Sequence, residues 1–188
     1  MTRKGRIPMT FSQTLGIGLL LGSLAGGATA APDQVIVVRH AERAPEPKDD
    51  PALSAEGAER AELLAATLAS AQVKTIITTH YRRTRETAAP LARQLGVTPT
   101  VLTIRRGDVP AHIEEVLAEV RKATGVVLVV GHSNTVAAIV AGLSSSQPAK
   151  LCETTFANLF VVTPGAAGAP ALQLKYSKPD QPPEAGCQ

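Results

Sequence analysis

VIVVRHAERAP, residues Val35 to Pro45, decides how the chain is read. Four apolar residues without alternation describe a strand buried on both faces, the pattern of a parallel sheet. The run ends in Arg39 and His40, with Glu42, Arg43 and Pro45 behind them. In open α/β sheets, ligands bind just past the carboxyl ends of the strands. This strand therefore delivers a histidine flanked by two arginines to the edge where such folds do chemistry. The plainer alternative is a strand end that carries an incidental surface histidine. It loses ground because Val126 to His132, VVLVVGH, repeats the pattern.

Working outward, Lys74–Thr79 (KTIITT) is a β-branched strand that runs into His80, Tyr81, Arg82, Arg83, Thr84 and Arg85. Thr100–Ile104 is a third strand, followed by a loop holding Gly107 and Asp108. Helical patterns fill the gaps. Leu53–Ser70 has Ser54 as its N-cap and loses some propensity at Gly57. A helix from about Thr84 to Leu95 stops at Gly96. Ala111–Ala123 gathers Ile113, Val116, Leu117 and Val120 on one face, and Asn134–Leu143 follows the second histidine strand. Asn158–Val162 and Ala171–Tyr176 are weaker strands. The alternation predicts an α/β fold: a three-layer α/β/α sandwich with a mostly parallel central sheet. It forms a single domain over residues 31–188, with a flexible tail from about residue 177.

Residues 1–30 have the plan of a secretory signal peptide: Arg3, Lys4 and Arg6, then the short apolar stretch Leu15–Leu24, then Ala28-Thr29-Ala30 before a cut after Ala30. The apolar stretch is short for a bilayer span. No stable membrane insertion is expected after cleavage, and the expected address is secreted, in the periplasm. The leader also explains the basic balance. Without its three cations, sixteen basic and sixteen acidic residues remain, so charge alone does not call for a polyanionic partner. Aromatic content is 3% with no Trp, which argues against a nucleic acid stacked on aromatic platforms. Cys152 and Cys187 are the only cysteines. In an oxidising compartment they are expected to bridge, tying the tail to the domain.

Three strand ends carry polar sets: Arg39, His40 and Arg43; then Arg82, Arg83 and Arg85; then His132, Ser133 and Asn134. In a parallel sheet they share one edge. Arginines around two histidines suit a dianion, because guanidinium forks match phosphate oxygens and stabilise charge on a phosphoryl group in flight. A histidine can be the nucleophile if it is neutral, and nearby arginine charges lower its pKa. The four histidines show no short metal-ligand spacing and no HExxH or paired-cysteine pattern. Neither a metal nor another cofactor is expected. Arg82 and Arg85 read as solvated arginines, His80 and His112 as surface residues, and Asn134 as a cap.

RHAER, TTHYRRTRETA and GHSNT resemble, in order and spacing, the three signature blocks of the histidine phosphatase superfamily, which includes the phosphoglycerate mutase-like and acid phosphatase branches. The resemblance implies that His40 is the phosphorylated nucleophile and that Arg39 binds phosphate. It places Arg83 on the phosphate-binding arginine of a Ser-x-x-x-Arg-x-x-x-Thr-Ala pattern, with Thr79 where serine is usual. It makes His132 the second histidine contacting the phosphoryl group. Ala41 replaces the usual glycine. Arg43 and Pro45 resemble the acid phosphatase form, in which that arginine also binds phosphate. That branch follows its second histidine with an aspartate, but Ser133 stands here, so the proton donor lies elsewhere. Asp108 and Glu42 are both candidates, and Glu42 could instead pair with an arginine. The implied activity is hydrolysis of phosphomonoesters, small molecules or envelope phosphates. A phosphomutase and a catalytically weak phosphate-ester binding protein are the alternatives.

Overall fold

Strand β1 (Pro32–Arg39) sends Val35 and Val37 to one face of the sheet and Ile36 and Val38 to the other, and all four are buried. The computed structural model describes residues 1–2, 31–164, 168–180 and 185. The elements that follow are α1 (Ala55–Thr67), β2 (Val73–Thr79), α2 (Arg82–Leu95), β3 (Thr100–Leu102), α3 (Val109–Lys122), β4 (Gly125–Gly131), α4 (Val136–Leu143), β5 (Asn158–Val162) and β6 (Leu172–Lys175). They form one six-stranded sheet in the order β3-β2-β4-β1-β5-β6. The four strands from β3 to β1 are parallel, and β5 and β6 add antiparallel pairings at one side.

Two cores cover the two faces. Val35, Val37, Val127 and Val129 pack against Val116 and Val120 of α3 and Ile139 and Val140 of α4. Ile36, Val38, Leu128 and Val130 pack against Leu64 of α1, its C-cap residue Leu68 and Leu91 of α2. This is the expected α/β/α sandwich, and the unbroken apolar runs are its two-faced strands.

Some expectations change. His112 is not a surface residue: it is 3% exposed, because it stands one helical turn before Val116 on the stripe that α3 buries. The segment past residue 177 does not start as a free tail. The Asp180 carboxylate accepts the N–H groups of Phe156 (2.8 Å) and Ala157 (3.0 Å), and Arg60 donates to Ser177 Oγ. Residues 3–30, which include nearly all of the expected leader, lie outside the described residues, as does Cys187. Cys152 is buried, and no free cysteine occurs among the described residues.

The loop after β1 is clamped by the chain that leads into α1. Ala44 N donates to Ala52 O (2.8 Å), and Ser54 N donates to Glu42 O (3.0 Å). Ser54 then caps α1 by accepting from Gly57 N at 3.1 Å. Gly57 is there for room: a Cβ at this position would stand 2.0 Å from Glu42 O. Both the helix and the clashing carbonyl are backbone, so no rotamer change relieves the overlap. Gly57→Ala should therefore cost about 1–3 kcal/mol and displace the loop beside His40. Thermal unfolding should show the loss. A variant as stable as the parent would disprove the contact.

Candidate active site

β1 pairs with β4 so that Arg39 lies opposite Gly131. His40 and His132 then leave the sheet side by side, with His40 N donating to Gly131 O at 3.0 Å. Their rings meet edge to face with centroids 5.3 Å apart. A Cβ on Gly131 would come within 2.9 Å of Thr135 Oγ1. That oxygen accepts from His132 N at 2.9 Å and shapes the turn, so the glycine leaves space for it.

The hydrogen bonds fix both tautomers. His40 Nδ1 lies 2.8 Å from Ala41 O. A carbonyl only accepts, so Nδ1 carries the proton and Nε2 keeps its lone pair. Ala41 N in turn donates to Thr87 Oγ1 at 2.9 Å, and that hydroxyl donates to Arg83 O at 2.7 Å. Helix α2 thereby holds the backbone beside His40. Arg83 Nη2 donates to His132 Nδ1 at 3.4 Å, so the His132 proton sits on Nε2, which donates to Thr79 Oγ1 at 3.1 Å. Thr79, at the end of β2, is bonded to Thr84 at 2.9 Å.

Both histidines are kept neutral. Burial pulls His40 down to about 3 from an ordinary 6.5, and the charges of Arg39, Arg83 and Arg43 add to it against the opposing bond to Ala41. Burial first, then His40 and Arg83, pull His132 down to about 2.

These residues line a cavity of about 770 Å³ that also takes in Arg43, Arg83, Ser133, Asn134 and Glu153. Asn134 is exposed there and caps nothing: Thr135 is the N-cap residue of α4. Of the expected phosphate ligands, Arg43, Arg83 and His132 come together at the cavity. Arg39 does not line it. Its buried guanidinium donates to Cys152 O (2.6 Å), Thr155 O (3.0 Å) and Glu153 Oε2 (2.8 Å), and it stacks on Phe156 at 4.2 Å. Only its Nε lacks a partner among the described residues. A guanidinium at 2% exposure needs acceptors, and the 152–155 segment supplies them. Arg39 here is a strut under the site.

The two candidate acids are engaged elsewhere. Asp108 caps α3 by accepting from Ala111 N at 3.2 Å and is not among the cavity residues. Glu42 grips Arg60 with both oxygens, at 3.0 and 2.8 Å from Nε. The carboxylate that does reach the cavity beside Ser133 is Glu153, which accepts from Ser133 Oγ (2.5 Å) and from Arg39. No local pattern announces it. It lies in a loop 114 residues from Arg39, and only tertiary packing brings it in.

The fold is shared with known phosphatases. The chain is similar to the protein histidine phosphatase SixA in complex with tungstate (20% identity, TM-score 0.60, 76% of this chain and 96% of that one). It is similar to a putative phosphohistidine phosphatase SixA from Agrobacterium tumefaciens (21%, 0.55, 79% and 99%). A third is a mycobacterial glucosyl-3-phosphoglycerate phosphatase with inorganic phosphate (19%, 0.52, 69% and 88%). No curated protein matches the chain by sequence. Residues 35–106 match the model of the histidine phosphatase superfamily, branch 1. Over those residues the chain is similar to that family, and the solved structures share its fold. The match ends before β4, so His132 joins the site through geometry.

The lowered histidine values carry a sign. Between pH 6.5 and about 3 the unfolded chain binds protons at both positions that the folded chain refuses. Stability present above pH 6.5 is therefore lost as the pH falls through that window. Thermal unfolding from pH 7 to pH 4 should show a falling Tm, and His132→Asn should flatten the fall. An unchanged slope would refute the buried neutral pair.

Proposed function

We propose that the protein is a phosphomonoester hydrolase that works through a phosphohistidine on His40. The observation that carries this reading is the His40 tautomer. Its proton is held on Nδ1 by Ala41 O, so a neutral Nε2 faces chemistry beside Arg43, Arg83 and His132. In the first step the Nε2 lone pair attacks phosphorus and the ester P–O bond breaks, with Arg43 and Arg83 holding the phosphoryl oxygens and the His132 Nε2–H transferring from Thr79 Oγ1 to one of them on binding. In the second step water attacks phosphorus, the P–N bond breaks and His40 recovers its lone pair.

Glu153 takes the proton from that water. It lines the cavity and is held there by Arg39 and Ser133, within reach of a water beside His40. With Asp108 and Glu42 engaged elsewhere, the leaving oxygen departs as an anion, so good leaving groups should react best. The solved relatives support hydrolysis over mutase chemistry as a class, being phosphatases by their descriptions. The reading extends to export by the leader and to a Cys152–Cys187 bridge. Thiol titration of the denatured mature protein should then find none free, and two free thiols would remove the bridge.

The test is phosphate release from p-nitrophenyl phosphate with EDTA present. The parent should turn over, and His40→Ala should fall to background. Glu153→Gln should lose about a hundredfold or more in steady-state rate while acid-labile phosphate accumulates on the protein. Turnover by His40→Ala equal to the parent would sink the phosphohistidine. A slow Glu153→Gln without accumulated phosphate would move Glu153 out of the second step.

A further inference from the structure

The cavity holds more positive charge than one phosphoryl group uses. Beyond Arg43 and Arg83, it is lined by Lys48 from the loop after β1 and by Arg105 and Arg106 from the loop after β3. All three are exposed, and among the described residues none of them forms an ion pair. The lining acids are Asp49 and Glu153, and Glu153 is committed to Arg39 and Ser133. Unpaired cations gathered from two separate loops repel one another, an arrangement that becomes favourable when an anion sits between them.

The loop that carries the arginines is built to a fixed shape. Ile104 N donates to His80 Nδ1 at 3.1 Å, and Asp108 N donates to Arg105 O at 3.1 Å. Gly107 takes the left-handed conformation, φ 82°, that the turn requires. The His80 ring packs on Tyr81 at 4.1 Å, and Tyr81 supports Arg83 at 4.2 Å. The arginine loop is thus braced against the phosphate-binding helix start. Aliphatic lining is confined to Pro51, Ile104 and Val109, which offers little to a lipid chain.

From this we infer a second anion subsite formed by Lys48, Arg105 and Arg106. The substrate class is a small polar phosphomonoester that carries a further phosphate away from the scissile one. This inference rests on the hydrolase reading and refines it.

The experiment compares adenosine 3′,5′-bisphosphate with adenosine 5′-monophosphate, and both with p-nitrophenyl phosphate, in the parent and in R105Q/R106Q. The parent should prefer the bisphosphate by about tenfold in kcat/KM, the scale that two exposed charge contacts supply, with the difference carried by KM. In the double variant the preference should shrink to about twofold, the statistical factor of two phosphates, and the parent's preference should weaken with added salt. Equal use of the two nucleotides by the parent, or a preference that survives the double substitution, overturns the subsite. If the parent fails even on p-nitrophenyl phosphate, the hydrolase reading falls. Calorimetric binding of the same two nucleotides to parent and variant then decides the subsite by the same criteria.

Discussion

Parallel pairing of β1 with β4 in one register sets the geometry of the site. With Arg39 opposite Gly131, the next residues of both strands are forced into company, and the amide of His40 closes on the carbonyl of Gly131. A shift by one residue would move every valine of β1 from one core to the other. Because α3 and α4 fill one face and α1 and α2 the other, each shifted side chain would meet a space shaped for its neighbour. The register that buries eight apolar side chains of the two strands is therefore the register that seats two imidazoles against each other. The packing of the core and the placement of the two histidines are specified by the same pairing.

Once paired, the imidazoles sit where water is scarce and guanidinium groups are near. Neither protonates easily, so the site stays cationic through its arginines and keeps its histidines as lone-pair donors or neutral contacts. The arginines divide the labour. Arg43 and Arg83 line the cavity, whereas Arg39 and Arg60, each 2% exposed, bind carbonyls and carboxylates beneath it. Phe156 lies between these two buried cations, 4.2 Å from one guanidinium and 5.8 Å from the other. Removing a partner from such a pair leaves a buried charge uncompensated, which is why the support is as sensitive as the surface it holds up.

Much of this was legible in the sequence, for identifiable reasons. Buried parallel strands are unbroken apolar runs, so β1 and β4 declared themselves, β2 was read from its β-branched residues, and the histidines that follow β1 and β4 marked the edge. Arg83 was singled out by the likeness of TTHYRRTRETA to a known signature block. What escaped was set by tertiary contacts. Glu153 reaches the site from a loop with no motif of its own. The resemblance made Arg39 a phosphate ligand, yet strand geometry turns it toward the carbonyls of residues 152 and 155. Asp108 could have been placed better from sequence: an aspartate two residues before Pro110 at the start of an amphipathic run is a helix cap. The burial of His112 was also within reach, since it falls on the stripe with Val116 and Val120. Asp180, one acid in a proline-bearing stretch, gave no sign that it would anchor two amides.

The fit of Gly57 against the carbonyl of Glu42 divides the rim of the cavity into a conservative lip and a permissive one. On the β1 side, helix and loop share a contact with no spare volume, and Ser54, Glu42 and Arg60 are bonded across it. An insertion there would have to rebuild the start of α1 and the seat of His40 together. On the β3 side, the amide of Ile104 bonds to His80, and the arginines of the loop are exposed at the cavity. The hydrogen bonds of the two imidazoles run to Ala41, Thr79 and Arg83 and not to these arginines, so exchanging the arginine side chains leaves those bonds in place. A lineage built on this scaffold is free to change what it recognises at one lip while the other preserves how it reacts.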